Sequence, residues 1–400
     1  MNKTTFANCD NFKDKLISHR RYLHENAEIG FNTETTNKYI FETLSSIGIE
    51  CSFFTKNAVI GKIYGKKSGR TILLRSDIDA LPIKEETSLP FSCKTGNMHA
   101  CGHDMHTSML LGAAEILYRS RDKIYGDIKL LFQPAEETLS GAKACLEKGA
   151  LDGVDYAMTV HVMTSCDIPT GKVILSQDSP CAPSADFFTI SITGKGCHGS
   201  SPCLGIDPIS CASRIISSLP HIKTHEIGIH HKSVLTIGEI HGGNSANAIP
   251  DFVTMSGTLR CFDEKIRAFY KNRFEDISKC IASAFRCDAE IKYTSSCPTL
   301  INDKLLLDKT RLNLEELLGK ENVIMIKDTK SDLQGSEDFA YISQKVPSVT
   351  VAIAAGKTED GHKYPLHNPR VTFDEEALEV GSKVFAYNAM KILDTGNSSG

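Results

Sequence analysis

The sequence predicts an α/β chain interrupted by an inserted βαββαβ (ferredoxin-like) domain, and three observations predict it. First, 400 residues are more than one hydrophobic core usually organises, which points to two domains. Second, up to about residue 182, strands without polar alternation take turns with helices, the pattern of a sheet covered on both faces. Third, the later strands alternate polar and apolar residues, and the α/β character returns only after about 299. The domains are therefore drawn as 1–182, an insert at 183–298, and 299–400.

The elements follow in order. Residues 12–26 (FKDKLISHRRYLHEN) place apolar side chains at helical spacing. A second helix is expected over 33–48, with Thr33 as its N-cap and Gly48 as its stop. Strands are expected at 59–65 and 71–76, a helix with a Met/Leu/Ala stripe at 103–118, and a strand at 127–132. A short helix at 141–149 and a strand at 156–160 complete the first part. In the insert, strands 186–193, 233–240, 252–260 and 289–293 with helices 207–219 and 263–285 give the βαββαβ order of an open-faced sheet. No internal repeat is present, and the polar tail 395–400 is the one low-complexity stretch.

Composition excludes several classes. A chain that is 41% hydrophobic and 24% charged is neither disordered, collagen-like nor coiled coil. Its 45 basic residues against 49 acidic ones form no basic excess, so no nucleic-acid partner is expected. No run of 18 apolar residues occurs, so no membrane span is expected. The opening MNKTTFANCDNF lacks a basic-then-apolar stretch, and the 14 cysteines contain no CxxC. Both features lead to the expectation of a cytoplasmic protein with free thiols.

Three local features can carry chemistry. HACGHDMH (99–106) packs three His, one Cys and one Asp into the start of a helix. Imidazole and thiolate suit borderline transition metals, and Gly102 permits Cys101 and His103 to point the same way. FQPAEE (132–137) runs a buried-type strand into two adjacent carboxylates, Glu136 and Glu137. The carboxyl end of a strand is where α/β folds place ligands, and one Glu can hold a metal while the other handles a proton. Finally, His161, His198 and His367 stand alone at segment ends. Glu34, Glu85, Glu86 and the acidic run 373–379 read as solvated faces, and Cys93, Cys145, Cys166, Cys211, Cys280 and Cys287 as small buried hydrophobes.

Taken in order, RRYLH (20–24), SDIDALPI (76–83), HACGHD (99–104), FQPAEE (132–137), HV (161–162), GKGCHG (194–199), GGNSANAIP (242–250), SEDF (336–339) and LHNP (366–369) resemble the metal-dependent amidohydrolases of N-acyl amino acids. That family includes hippurate hydrolases, indoleacetyl-amino-acid hydrolases and N-acetyl-amino-acid deacetylases, and is related to aminoacylases and zinc carboxypeptidases. The resemblance implies a mixed-sheet dinuclear metallohydrolase domain, and a role for the insert as lid and dimerisation domain. It implies two divalent metal ions per subunit, manganese first, with zinc, cobalt or nickel as alternatives, held by Cys101, His103, Glu137, His161 and His367. Glu136 matches the general base, and His198 a group reaching in from the partner subunit to hold the oxyanion. Asn247 and Arg260 match substrate-binding positions, though Arg260 also reads as a strand-end surface charge. Asp77 and Asp79 resemble carboxylates that orient ligand imidazoles, or else cap the turn before Pro82. The implied substrate is a small N-acyl amino acid, and the implied assembly a homodimer or homotetramer through the insert. A dipeptidase or carboxypeptidase, or a non-catalytic metal-binding homologue, are the alternatives. Cys197 and Cys203 depart from the family's usual Gly and His beside His198.

Overall fold

The computed structural model describes residues 12–55, 57–177, 179–326 and 335–394, so the amino-terminal stretch and the tail 395–400 lie outside the described residues. In chain order the elements begin with α1 (Phe12–Glu25), α2 (Glu34–Ile47), β1 (Glu50–Thr55), β2 (Ala58–Tyr64), β3 (Lys67–Asp77), α3 (His103–Arg119), β4 (Tyr125–Gln133), α4 (Gly141–Glu147), β5 (Tyr156–Met163) and β6 (Val173–Ser176). Next come β7 (Ala185–Thr193), β8 (Cys197–His198), α5 (Pro208–Ser218), β9 (Ser233–Gly242), β10 (Ala248–Ile249), β11 (Phe252–Cys261), α6 (Glu264–Ala284) and β12 (Asp288–Cys297). The chain closes with α7 (Lys304–Leu318), β13 (Val323–Ile326), α8 (Ala340–Ser343), β14 (Ser348–Ala354) and α9 (Ala377–Leu393). Two compact units result: Ala182–Leu300 with 335–337 form one, and the remaining described residues the other.

The first unit is built on an eight-stranded sheet in the order β1-β2-β4-β3-β5-β14-β6-β13. β3 runs parallel to β4 and β5, and β14 parallel to β5, while β1, β2 and β6 supply the antiparallel pairs. The register sets Asp77 opposite Gln133 and His161 opposite Ala352, so the carboxyl ends of the central strands share one edge. From Ile72 to Asp77 both faces of β3 are buried. Ile72 and Leu74 enter the core shared with α3 and α9, whereas Arg75 bonds Gln133 and Asp338. Asp338 in turn accepts the Ala142 N–H of α4. α3 is buried on every side from His103 to Leu117, with its polar residues gathered mostly in the first turns and apolar ones from Met109 on. α9 crosses it closely at Gly381, where a Cβ would come 2.1 Å from Met109 Sδ.

Two local expectations are corrected. Thr33 makes no side-chain cap on α2. Glu28 does this instead, its carboxylate accepting the N–H groups of Thr35 and Thr36 at 3.1 and 2.9 Å, which also favours the positive end of the helix dipole. Thr33 is buried and accepts from Asn37 Nδ2 at 3.1 Å. Gly48 does end α2, at φ +92°. Cys280, read as a buried thiol, is exposed.

The second unit holds a four-stranded antiparallel sheet, β12-β7-β11-β9. With α5 between β7 and β9 and α6 between β11 and β12, this is the ferredoxin-like order. α5 and α6 pack over Phe188, Ile190, Ile192, Val253 and Met255, while β9 leaves alternate side chains exposed. Asp207 and Asp263 cap the two helices through the N–H groups of the next turn. A short β8–β10 ladder stands apart from this sheet. Among the described residues no helix is long and apolar enough to cross a membrane.

Candidate metal centre

The carboxyl ends of β3, β4 and β5, the start of α3 and the segment before α9 each contribute. Gly102 takes φ +86° between Cys101 and His103, and that left-handed turn starts α3. Ala135, at φ +59°, turns the chain off β4 so that Glu136 and Glu137 follow at once. The Asp79 carboxylate accepts both of their N–H groups, at 3.0 and 3.2 Å. His161 lies on β5. His367 donates its backbone N–H to the Ala100 carbonyl at 2.9 Å, which ties its segment to the cysteine turn.

These elements bring five side chains together. Donor atoms of Cys101, His103 and His161 lie within 4.8 Å of one another, and so do those of Cys101, Glu137 and His367. Cys101 is common to both groups. Its Sγ is 3.6 Å from His161 Nε2, and Glu137 Oε1 is 3.5 Å from His367 Nε2. Two of the three imidazoles, His103 and His161, are held in one tautomer. His103 Nδ1–H donates to the Asp79 carbonyl at 2.8 Å and His161 Nδ1–H to the Val162 carbonyl at 2.7 Å. Each Nε2 is thereby left as the donor atom. Glu136 belongs to a third group, with His103 and Glu137. Its Oε1 accepts the Asp338 N–H at 3.4 Å.

The donor set fits cations on two independent grounds. His103 Nε2 and Glu137 Oε1 are buried polar atoms with no hydrogen-bond partner, an arrangement that costs free energy unless something binds there. Electrostatics agrees. Burial lifts the Glu137 carboxyl to about 7; His103 opposes this, while Asp79 and Asp77 add to it. For His103, burial works against the charged form, but the Asp77 charge, with Asp79 and Cys101 beside it, prevails and raises it well above its ordinary value. Positive charge is what this site favours. Burial, then the Glu137 charge, holds the Cys101 thiol well above its usual range. One thiol, three imidazoles and one carboxylate form a mixed set compatible with borderline divalent metals.

Asp77 and Asp79 both stand beside His103, and each also has a second partner. The Asp79 carboxylate serves the Glu136–Glu137 backbone, and the Asp79 carbonyl accepts His103 Nδ1–H with the carboxylate Oδ1 3.6 Å from the same nitrogen. Asp77 accepts from His106 Nδ1 at 2.6 Å and from Arg75 Nη1 at 2.8 Å. His106 Nε2 accepts the Val162 N–H at 2.9 Å, so a neutral imidazole ties Asp77 to the strand that carries His161. Glu85, read as solvated, has a side chain only 1% exposed that pairs with His24. Sequence reasoning gave no separate role to His106, Arg75, Gln133 or Asp338, although HACGHDMH, SDIDALPI, FQPAEE and SEDF contain or adjoin them. For Arg75 and Gln133 the signal was a polar residue at the end of a buried strand. His99, the other histidine of the cluster, is buried without a hydrogen-bond partner. Burial lowers its imidazole to about 3, with Asp104 opposing.

Three predicted residues lie in the second unit. His198 pairs with Ala248 across the β8–β10 ladder. Its Nδ1 accepts the Ser200 N–H at 3.2 Å, which leaves the ring proton on Nε2. Asn247 is exposed, and its carbonyl accepts the Gly199 N–H at 2.7 Å. Arg260 donates from Nη1 to Ser336 Oγ at 3.0 Å. Cys197 abuts Gly205, where a Cβ would meet its Sγ at 2.5 Å, so the thiol fills space against a glycine.

Fold and side chains define an α/β protein that gathers cation donors at the carboxyl ends of parallel strands, with Glu136 next to them. The chain belongs to peptidase family M20/M25/M40, whose model matches residues 73–391. It is 37% identical to N-acetyl-L-cysteine deacetylase of Bacillus subtilis (strain 168) over 395 residues, 98% of this chain and 92% of that protein. It is 36% identical to thermostable carboxypeptidase 1 of Saccharolobus solfataricus over 385 residues, 95% of each chain. The crystal structure of a dinuclear metal binding peptidase of the M20 family from Bacillus subtilis matches with a TM-score of 0.80 at 35% identity, covering 96% of this chain and 99% of that one.

Proposed function

We propose that this chain is a metal-dependent hydrolase that cleaves the amide bond of N-acyl amino acids, such as N-acetyl or N-benzoyl conjugates, releasing a carboxylic acid and a free amino acid. One observation carries the reading: Cys101 belongs to two donor triads at once, with Glu136 beside them but outside both. Two divalent ions would be held there, by Cys101, His103, Glu137, His161 and His367. Manganese is the first candidate, with zinc, cobalt and nickel behind it. When bound, such ions supply Lewis acidity and lower the pKa of a water. Glu136 takes the proton of the attacking water on its carboxylate and returns it to the leaving amine nitrogen. Asp79 keeps Glu136 and Glu137 in separate roles by holding both backbone N–H groups. His198 donates its Nε2–H to the carbonyl oxygen as charge develops there, reaching in from a partner subunit. Arg260 and Asn247 receive the substrate's α-carboxylate.

The relative named a deacetylase supports an acyl-amino-acid substrate. The relative named a carboxypeptidase supports the second reading, peptide hydrolysis at the same site. The exposed Val234 and Ile240 on edge strand β9 support a homodimer or homotetramer through the insert. Each cysteine assigned among the described residues is free, which supports a reducing, cytoplasmic setting. The test strips the protein with chelator and reloads it separately with manganese, zinc, cobalt and nickel, against N-acetyl, N-benzoyl and dipeptide substrates. Glu136→Gln should keep its metal content and lose roughly two to four orders of magnitude in kcat. Unchanged turnover would remove Glu136 as the base, and dipeptides cleaved faster than acyl conjugates would favour the second reading.

A further inference from the structure

The RRYLH string of α1 contains no cage residue, yet two of its side chains bond segments that carry them. Asp104 Oδ2 accepts from Arg20 Nε at 3.0 Å and from His24 Nδ1 at 2.9 Å. Asp104 directly follows His103 in the first turn of α3. Arg20 Nη1 also donates to Glu375 Oε1 at 2.9 Å, on the segment that leads from His367 into α9. His24 Nε2 reaches Glu85 Oε2 at 3.2 Å, on the segment that leads on from Asp79. Phe91 lies under the Arg20 guanidinium, 5.0 Å from its centre. The arginine, histidine and Asp104 side chains are at most 2% exposed.

A buried ion cluster of this kind is a poor device for stability alone. Desolvating its charges offsets most of their attraction, and apolar residues of the same volume do as well or better. What charges do and apolar residues cannot is fix direction. Arg20 bonds two carboxylates from two segments at once with a planar fork, and His24 bonds Asp104 again and Glu85 with opposite ring nitrogens. We infer that Arg20 and His24 are positioning residues: through Asp104, Glu85 and Glu375 they set the α3 start, and with it Cys101 and His103, against the segments bearing Asp79 and His367. The inference rests on the reading that those residues hold cations.

The test uses the full chain, stripped and reloaded with cobalt, as wild type, Arg20→Lys and His24→Gln. The thiolate-to-cobalt charge-transfer and ligand-field bands report cage geometry, chelator competition reports cobalt affinity, and melting of the metal-free protein reports stability. Both variants should bind cobalt roughly ten- to a hundredfold more weakly with shifted bands. kcat should fall more than KM changes. Arg20→Lys keeps the charge, but a single ammonium lacks the fork that spans Asp104 and Glu375, so it should not rescue the bands. Bands and affinity that stay at wild-type values would overturn the inference, whatever the melting temperature does. If a variant fails to fold, Glu375→Gln takes its place at the cluster's more exposed end, with a smaller shift expected in the same direction; unchanged bands there would overturn it equally. A wild-type chain that takes up no cobalt would instead remove the metal reading on which the inference stands.

Discussion

Gly102 and Asp79 set the site's geometry without being donors themselves. At φ +86° an alanine at position 102 would be strained, and its Cβ would stand 2.4 Å from Val162 Cγ2 and 3.1 Å from Phe373 Cζ. Gly102→Ala should therefore cost about 2 kcal/mol or more and turn Cys101 away from His103. Thermal melting together with metal content checks this, and a variant with wild-type metal content would refute it. Asp79→Asn keeps the shape but turns an N–H₂ group toward one of the two backbone N–H groups it must accept. Metal affinity or kcat should fall roughly ten- to a hundredfold, with the larger loss in kcat if Glu136 is the group displaced. Isothermal titration with zinc beside steady-state kinetics separates the two losses.

At the scale of an element, α1 carries two histidines with opposite behaviour. Burial, helped by the Lys15 charge and opposed by Glu115, lowers His19 to about 4, where it faces the Tyr39 hydroxyl. Burial would lower His24 too, but its bonds to Asp104 and Glu85 prevail over burial and the Arg20 charge and raise it to about 9. An unfolded histidine titrates near 6.5. Between about 6.5 and 4 the unfolded chain binds the His19 proton and the folded one does not, so stability falls as pH drops through that window. Between about 6.5 and 9 the folded chain holds the His24 proton and the unfolded one does not, so stability falls as pH rises. Each amounts to roughly 3 kcal/mol at the far end of its window. Denaturant melts across pH should show stability greatest near pH 6.5 from these two groups. His24→Gln should flatten the alkaline limb and His19→Gln the acid limb; limbs that keep their slopes would contradict the assignment.

On the scale of the whole molecule, each unit has its own core. In the second, Asp186 is fully buried and bonds Arg267 twice, Lys271 and Ser296. Burial raises its carboxyl, yet Arg267 prevails and holds it below the usual carboxylate range. Removing Arg267 strands a buried charge, so Arg267→Met should destabilise this unit by about 3 kcal/mol or more. Hydrogen exchange should quicken in β7, β11 and β12 while β3 and β5 stay protected. Equal loss in both would mean that the units unfold as one.

Much of this was legible in the chain itself. Periodicity placed α1, α3, β3 to β5 and the βαββαβ set, because burial on one or both faces writes its period into local sequence. The short β1, β6 and β13 escaped notice: a strand of 4 residues such as β6 or β13 is too brief to show a period. Residue chemistry and spacing marked the 99–106 string and the glutamate pair as candidates, since a thiol, imidazoles and carboxylates that close together are few. Spacing alone left His161 and His367 apart from Cys101, and only the resemblance joined them; the tertiary structure supplied their distances, and it alone turned Asp79 to the glutamate backbone and Asp77 to His106. Hydrogen-bond direction and cross-segment distance are set by how strands and turns pack, and no local period encodes them.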